Sequence, residues 1–474
     1  MTTGAEPLEP ALVAFISQAR WFGGKGRPFS VRDVRVLPLR DGEPRVSIAL
    51  ITLSFEDAVE DPEQAPDADV YQVPVASYAT AQERLSHAFI AVVEGRHVYD
   101  ALHDRDATHV WLEAFQAAAE GDDAATHPGL TFHRTGTHDL DLSTHSTLFS
   151  GEQSNSSLAY GDDALMKVFR RLTPGVNPDI EIHAALTRAG TSSIAELYGW
   201  LELAPTAPDT EPIQLAMLQQ FLRTASDGWE LALSSARNLF AEADLHADEV
   251  GGDFAGDAHR LGVTVSEVHE ILREQFGTQD LDGAATADAM RQRLSAAVSV
   301  VPELAEHVPA LHAVFGRLAD VKGVGQRVHG DLHLGQTLRT SLGWKLVDFE
   351  GEPAKPLAER RLPDSAWRDV AGMLRSFDYA AQSVVKDLHS VDQAGAQLAY
   401  RANEWVQRNR EAFLTGYGKH RQFDGGTALT DEEQSVIDAY EADKAVYEVI
   451  YEARNRPGWL GIPLQAIDRI GAER

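Results

Sequence analysis

The order in which strand-like and helix-like segments follow each other most constrains what this chain can fold into. Up to residue 222 the apolar residues come in short β-rich runs, such as Val46–Phe55, Ser157–Tyr160 and Ala164–Phe169. Beyond Arg223 they recur at helical spacing over long segments. Strands first and helices later predict an α+β protein with two lobes and an extra N-terminal unit. A stretch rich in Gly, Asp and Thr at Glu120–Thr137 is predicted to be a linker.

The composition excludes several classes of protein. The 474 residues carry a formal net charge of −30, which argues against nucleic-acid or anionic membrane surfaces as partners. There is no cysteine, so disulfides, Cys-ligated zinc and thiol catalysis are excluded. The N-terminus lacks the features of a signal peptide, and no apolar window is long enough to span a membrane. We expect a soluble, cytoplasmic protein that is a monomer or a small homo-oligomer.

A His-Gly-Asp motif and the strand-like segment after it carry the most informative pattern. Asp331 follows a predicted short strand at Arg327–Val328, and Gln336 stands five residues further on. Asp348 ends a second apolar strand, 17 residues after Asp331. Phosphoryl transfer needs this set, because one carboxylate must orient or deprotonate the attacking hydroxyl and Mg²⁺ needs oxygen ligands. The pattern therefore favours a kinase.

A competing interpretation makes the same motif a metal cluster. His329, Asp331 and His333 are alternate residues, which share one face of an extended segment and could bind the metal of a hydrolase. The downstream sequence offers no convincing further ligands for such a site. This favours the kinase interpretation over the hydrolase.

The motif resembles the catalytic loop of the aminoglycoside-phosphotransferase-like kinases, which are relatives of the protein kinases. The resemblance implies a bilobal protein-kinase-like fold, with Asp331 as the catalytic base and with Gln336 and Asp348 as ligands of Mg²⁺. Two departures stand out: Gln336 replaces the usual Asn, and Asp-Phe-Glu at 348–350 replaces Asp-Phe-Gly.

The upstream half fits the same plan for binding ATP. Lys167 lies on a predicted strand and Glu181 lies 14 residues later at the start of a predicted helix, as in the kinase pair of a strand lysine and a helix glutamate. The polar segment 150–157 is a candidate phosphate loop. The further candidates for contacts to ATP are Ser150, Gln153 and Ser154 in that loop, with Gln219 and Gln220 at the hinge.

Further segments resemble one branch of this family, the bacterial maltokinases. They are Gln18–Lys25, Glu152–Asn155, Asn177–Glu181, Tyr447–Trp459 and Ile462–Leu464, so the resemblance runs through essentially the whole chain. It implies transfer of the γ-phosphate of ATP to the anomeric hydroxyl of maltose, which gives maltose 1-phosphate for α-glucan (glycogen) synthesis from trehalose. It also implies a cap subdomain at 1–95, an intermediate region and N-lobe at 96–222, and a helical C-lobe at 223–474.

The acceptor sugar is expected to meet the C-terminal helix. Tyrosines and glutamates alternate along this helix, and aromatic rings and carboxylates are suited to sugar faces and hydroxyls. A structural interpretation stays open, since Lys444 with Glu448 and Glu452 with Arg456 have i,i+4 spacing and could only stabilise the helix. The candidates for contacts to the acceptor are His329, His333, Glu350, Arg368, Tyr447, Glu448, Tyr451, Arg454 and Trp459.

Two alternatives to maltose phosphorylation remain open from the sequence. The first is a related kinase that acts on glucosamine or another amino sugar, which the acidic chain would tolerate. The second is a catalytically weak protein that binds sugar and nucleotide, if Gln336 and the Asp-Phe-Glu segment do not hold Mg²⁺.

Overall fold

The computed structural model describes residues 8–56, 68–118, 125–149, 154–204, 210–242, 244–352, 355–389, 395–420 and 429–472. These residues form two compact units. Unit 1 contains the described residues of Met1–Thr187 and Ala195–Arg223, and unit 2 contains those of Arg188–Ile194 and Thr224–Arg474. Unit 1 is dominated by strands and unit 2 by helices, which confirms the predicted α+β class and its strand-to-helix order.

Unit 1 contains two antiparallel sheets with three helices. Its elements in chain order are α1 (Leu8–Gln18), β1 (Phe29–Arg40), β2 (Arg45–Phe55), β3 (Ala68–Tyr78), β4 (Phe89–Val93), β5 (Arg96–Asp100), α2 (Arg105–Ala117), β6 (Ala125–His127), β7 (Leu130–Arg134), β8 (Ser146–Leu148), β9 (Asn155–Tyr160), β10 (Ala164–Phe169), β11 (Arg171–Leu172), α3 (Pro178–Ala189), β12 (Leu197–Leu203) and β13 (Gln214–Gln220).

The first sheet has the strand order β1-β2-β3-β5-β4, and β11 adds to β3. Strand β2 is buried on both faces, which explains why its sequence is an almost continuous apolar run. Ile48 and Leu50 on one face belong to a cluster that includes Trp111 of α2. Ile51 and Leu53 on the other face belong to the cluster that includes α1. The sheet is therefore the layer between these two clusters.

The second sheet has the order β6-β7-β12-β13-β10-β9-β8. The predicted β-rich runs Ser157–Tyr160 and Ala164–Phe169 are confirmed as strands and pair as the hairpin β9–β10. Gly161 in its turn has a φ of +55°, a conformation that glycine adopts without strain. Lys167 on β10 pairs with Ser157 on one side and with Met217 on the other. The lysine therefore starts from an interior strand, where the backbone is held on both edges.

The predicted linker at Glu120–Thr137 is wrong over the part that the structure describes. Strands β6 and β7 form a hairpin there, with Gly129 at a φ of +82° in the turn. Leu130 and Phe132 are fully buried in the core that the two sheets share. The sequence suggested a linker because its many polar and turn-forming residues outnumber Leu130 and Phe132, the two apolar side chains that anchor β7 in the core.

The two sheets of unit 1 are joined by side chains as well as by core packing. Gln72 of β3 is fully buried, and its Nε2 donates to the carbonyl oxygens of Phe169 at 2.5 Å and Leu215 at 2.6 Å. Arg170 is also buried; its Nη2 donates to Asp100 at 3.3 Å and its Nε to Ser156 Oγ at 2.8 Å. The first and second sheets therefore share buried polar contacts.

Unit 2 consists mainly of helices with two small sheets, ordered β14-β17-β18 and β15-β16-β19. Its elements in chain order are β14 (Ser226–Asp227), α4 (Gly228–Ala241), α5 (Ala255–Phe276), β15 (Gln279–Asp282), α6 (Gly283–Val300), α7 (Val308–Leu318), β16 (Lys322–Gln326), β17 (Thr337–Thr340), β18 (Gly343–Leu346), α8 (Leu357–Arg360), β19 (Asp364–Ser365), α9 (Trp367–His389), α10 (Gly395–His420), α11 (Asp431–Asn455) and α12 (Gly461–Ala472).

Helices α5 and α10 cross closely because glycine stands at both contact points. A Cβ atom on Gly262 would lie 2.1 Å from the carbonyl oxygen of Phe413, and one on Gly416 would lie 2.0 Å from that of His259. Helix α9 is amphipathic and buries Val370, Leu374 and Phe377 in the helical core. Among the described helices, none is long and apolar enough to cross a membrane.

Candidate active site

The His-Gly-Asp loop is held by the carboxylate of Asp369 on α9. Asp369 Oδ2 accepts from the backbone N of His329 at 2.7 Å, and Oδ1 accepts from that of Gly330 at 2.8 Å. The predicted strand at Arg327–Val328 is wrong, since β16 ends at Gln326. A side-chain carboxylate satisfies the backbone donors that a neighbouring strand would otherwise satisfy.

Asp369 is itself held by a buried histidine. Its Oδ2 lies 3.0 Å from His269 Nε2, and His269 Nδ1 lies 2.9 Å from the hydroxyl of Tyr417. Burial alone would raise the pKa of Asp369, but the hydrogen bond and charge of His269, together with the Gly330 amide, lower it below the usual value. The carboxylate is therefore ionised at neutral pH, when it binds the loop most strongly.

Asp331 is paired with Lys444 of α11, whose Nζ donates to Oδ1 at 2.8 Å. The two side chains are 22% and 27% exposed. Burial alone would raise the pKa of Asp331, but the charge and hydrogen bond of Lys444 outweigh it and lower the pKa. Asp331 is therefore ionised at neutral pH and able to accept a proton from a hydroxyl group.

Gln336 and Asp348 lie next to each other, at the base of the β17–β18 hairpin. Gln336 Nε2 donates to Asp348 Oδ2 at 3.0 Å, and the backbone N of Val347 donates to Gln336 O at 3.1 Å. Asp348 has a φ of +67°, a strained conformation for a residue with a side chain. Carboxylate and amide oxygens are ligands that bind Mg²⁺, so the chemistry of these two residues fits the predicted metal site.

A narrow cavity beside Asp331 collects side chains from several helices of unit 2. It has a volume of about 30 Å³, close to one water molecule. Helix α11 lines it with Tyr440, Asp443, Lys444 and Tyr447, which share one helix face. Arg293, Glu352, Lys355 and Arg368 line the other walls. We call this space the acceptor cavity.

Every carboxylate that lines the acceptor cavity, among the described residues, is paired with a cation. Lys444 pairs with Asp331, as described above. Glu352 Oε2 lies 2.6 Å from Arg368 Nη2. Both oxygens of Asp443 accept from Arg293 at 2.8 Å. The cavity is therefore polar, with its negative charges already neutralised.

The structure brings only some of the predicted acceptor residues to this cavity. Tyr447 and Arg368 line it. Glu448 lies behind it, in a buried ion pair with Arg375 at 2.6 Å. Tyr451 is 44% exposed and Arg454 is exposed. Trp459 packs against Lys386 and Arg456. Of these C-terminal candidates, Tyr447 lines the cavity, Glu448 and Trp459 contact other side chains of unit 2, and Tyr451 and Arg454 are exposed.

The other candidates lie within or just after the catalytic loop. His329 is buried, and its Nε2 lies 3.0 Å from the carbonyl oxygen of Val347. His333 Nδ1 accepts from the backbone N of Gly335 at 3.1 Å, and burial lowers the pKa of His333. Glu350 is half-buried. The two imidazoles thus contact the backbone, which supports a loop-shaping role over the hydrolase interpretation.

Unit 1 carries the predicted nucleotide residues. Lys167 Nζ lies 3.1 Å from Asp179 Oδ2, and His183 Nδ1 lies 3.0 Å from Asp179 Oδ1. Burial alone would raise the pKa of Asp179, but Lys167 and His183 lower it well below its usual range. The predicted lysine partner Glu181 lies half-buried on the same helix, α3. The sequence pattern used Asp179 only to mark the helix start.

Three of the remaining nucleotide candidates lie at strand ends of unit 1's second sheet. Ser154 is exposed just before β9, whereas Ser150 and Gln153 lie outside the described residues. Gln219 and Gln220 end β13 and are half-buried. Among the described residues, Gln219 Oε1 has no hydrogen-bond partner. That amide oxygen is buried.

The sequence pattern missed five of the residues that shape the site in unit 2. They are Asp369, His269, Asp443, Arg293 and Lys355. Tyr440, Asp443, Lys444 and Tyr447 recur at i, i+3, i+4 and i+7, so the helical period was a usable signal for the α11 face. The sequence carries no comparable signal for the other positions, which meet only in the folded unit.

Comparisons with known proteins agree with this architecture. Residues 15–104 match the family described as the maltokinase N-terminal cap domain. A solved glucosamine kinase in complex with glucosamine, ADP and inorganic phosphate matches with a TM-score of 0.67 at 22% identity, over 96% of this chain and 98% of that one. That likeness establishes the fold.

Two curated relatives are similar in sequence. The glucosamine kinase of Streptacidiphilus jiangxiensis is 30% identical over 335 residues, which are 68% of this chain and 73% of the relative. That of Mycolicibacterium smegmatis (strain ATCC 700084 / mc(2)155) is 28% identical over 384 residues, which are 77% and 90% of the two chains. With the matching cap and fold, these similarities show that the chain belongs to the maltokinase-like family of small-molecule kinases.

Proposed function

We propose that this sugar kinase uses Mg²⁺ and ATP to phosphorylate the anomeric hydroxyl of a neutral sugar, with maltose as the acceptor. The observation that carries the choice of a neutral sugar is the pairing of Asp331, Glu352 and Asp443 with cations in the acceptor cavity. An amino sugar is a cation at neutral pH and needs an unpaired carboxylate. Here it would meet four cationic side chains and three neutralised acids.

The residues of the two units divide the chemistry. In unit 2, Asp331 accepts the proton of the acceptor hydroxyl as its oxygen bonds to the γ-phosphorus of ATP and the bond to the β-phosphate oxygen breaks, which leaves ADP. Gln336 and Asp348 would hold Mg²⁺, which neutralises charge on the phosphates when bound. In unit 1, Lys167 would bind the nucleotide phosphates, with its position fixed by Asp179.

The small size of the acceptor cavity means that the sugar can bind only if side chains in the cavity move. At about 30 Å³ it is too small for a sugar ring while Lys444 Nζ lies against Asp331 Oδ1. The acceptor hydroxyl must therefore take the place of the ammonium group beside the base. Lys444 then becomes available to a neighbouring sugar oxygen.

The product of this reaction would be maltose 1-phosphate. Its anomeric phosphate is a good leaving group, so it would serve a glycosyl-transfer reaction that builds an α-glucan chain.

Glucosamine is the second candidate acceptor, because both curated relatives bear the name glucosamine kinase. A single assay separates the two candidates. ATP consumption is measured with maltose, glucose, trehalose, glucosamine and kanamycin, and Asp331→Asn gives the background. We expect the highest kcat/KM with maltose, and a phosphorus NMR signal of an anomeric phosphate. A higher kcat/KM with glucosamine would refute the neutral acceptor. Mg·ATP binding without turnover of any sugar would point to a binding protein.

A further inference from the structure

A second and much larger cavity lies in unit 2. It encloses about 1170 Å³, above the roughly 300–1,000 Å³ of typical small-molecule sites. Its walls come from α5, α6, α10 and α11 and from the strands β15 and β16. Among the described residues, Tyr440 alone lines both this large cavity and the acceptor cavity. The space therefore suits a separate ligand that is longer than one sugar ring.

The floor of the large cavity carries a buried hydroxyl beside aromatic rings. Ser266 is 1% exposed, and its Oγ has no hydrogen-bond partner among the described residues. Such a group costs stability unless something binds to it. Trp367 and Tyr417, with ring centroids 5.5 Å apart, line the same cavity. A ligand with hydroxyl groups on an apolar frame would satisfy Ser266 and pack against these rings.

The charged side chains around the large cavity balance. Three acids and three bases line it, so the sum of their formal charges is zero. They are Glu270, Glu432 and Glu433, with Arg273, Lys322 and Lys419. Phosphorylated or polyanionic ligands need an excess of bases, and cationic ligands need an excess of acids. The balance favours a neutral, polar ligand.

We propose that the large cavity binds a neutral oligosaccharide. Its volume, its buried hydroxyl, its aromatic rings and its balanced charges each fit such a ligand, and this assignment does not depend on which sugar the acceptor cavity takes. The ligand would also contact His269, which lines the cavity and supports the catalytic loop through Asp369. A ligand in the large cavity is therefore connected to the loop that carries Asp331 through the side chains of His269 and Asp369.

The test is calorimetric titration of the full chain with maltoheptaose and, separately, with cellohexaose. We expect saturable binding of at least one of them, and the comparison tells whether α- or β-linked chains fit. Thr286→Trp fills the wall of the cavity and should abolish this binding. Ser299→Trp is the matched control, because it adds the same side chain to α6 at a position that does not line the cavity, and it should leave the binding unchanged.

A smaller change tests the hydroxyl itself. Ser266→Ala should weaken oligosaccharide binding about fivefold, the usual effect of one hydrogen bond, while the melting temperature stays equal or rises because an unsatisfied group is removed. Absence of binding for both oligosaccharides would overturn the proposal. So would binding that persists undiminished in both Thr286→Trp and Ser266→Ala, since the ligand would then bind elsewhere. Because the readout is binding, this failure is distinct from a wrong acceptor in the kinase assay.

Discussion

Replacing Asp369 with asparagine should loosen the catalytic loop, because the carboxylate accepts three hydrogen bonds that an amide cannot all replace. The donors are the backbone N of His329, the backbone N of Gly330, and His269 Nε2. Asparagine keeps one acceptor oxygen and turns an NH₂ group toward a second donor. One charge-assisted hydrogen bond is lost, at about 1.5–3 kcal/mol, and one buried N–H is left unpaired, at about 1–3 kcal/mol.

The free energy of unfolding should therefore fall by about 2.5–6 kcal/mol. Unit 2, which carries Asp369, spans about 250 residues, and a unit of that size loses roughly 2 °C per kcal/mol, so its melting temperature should fall by roughly 5–12 °C. The turnover number should fall more than the KM for ATP rises, because the loop carries Asp331. Differential scanning calorimetry and steady-state kinetics at pH 7 measure the two effects.

The pH dependence of the melting temperature tests independently whether the ionised form of Asp369 stabilises the protein. The pKa of Asp369 is lowered in the folded protein, so its carboxylate contributes stability above the unfolded value of about 3.9. That contribution is lost as the pH falls through the folded pKa. Asparagine does not titrate, so the difference in melting temperature between the two proteins should narrow below about pH 4.

The matched control is Asp288→Asn, since Asp288 is 69% exposed and its partner among the described residues is Arg291 on the same helix. Exposed pairs contribute about 0–1 kcal/mol, so its melting temperature should change little. If Asp369→Asn melted within error of the unchanged protein and kept full turnover, the loop would be held by other contacts.

Three further predictions concern individual residues of the site. Asp331→Asn should lower turnover roughly 10²–10⁴-fold with circular dichroism unchanged, and near-normal turnover would exclude Asp331 as the base. Lys444→Met should move the acidic limb of the pH–rate profile to higher pH, because it removes the charge that does most to lower the pKa of Asp331 against the effect of burial. An unmoved limb would show that the pair has no role in catalysis. Lys167→Met should raise the KM for ATP. In double-mutant cycles Lys167 should couple more strongly to Asp179 than to Glu181, and the reverse ranking would favour Glu181 as the lysine's partner.

The fold class and the catalytic motif could be predicted from the sequence, because both depend on local patterns. Short β-rich runs predicted the strands β9 and β10, and helical spacing predicted the long helices of unit 2. Gln336 and Asp348 were paired correctly as neighbours, since a hairpin brings its two ends together whatever surrounds it.

The residues that hold the catalytic loop could not be predicted from the sequence, because their contacts join positions far apart in the chain. Asp369 stands 40 residues after His329, and His269 stands 100 residues before Asp369. Lys444 reaches Asp331 across 113 residues. Only the packing of α5, α9 and α11 brings these groups together, and no local pattern records it. For the same reason Glu448, which had the spacing of a surface pair, is a buried partner of Arg375.

The buried contacts between the two sheets of unit 1 limit how the cap can be exchanged between related proteins. The cap family ends at residue 104, yet Gln72 within it satisfies carbonyl groups at Phe169 and Leu215, far outside it. Without the cap, Arg170 would lose Asp100 as its partner and leave a buried charge uncompensated, which is strongly destabilising. Phe169 and Leu215 contribute only backbone carbonyl groups, which any residue supplies, so a chimera that takes its cap from a relative should fold best when the residues at 72, 100 and 170 are exchanged as one set.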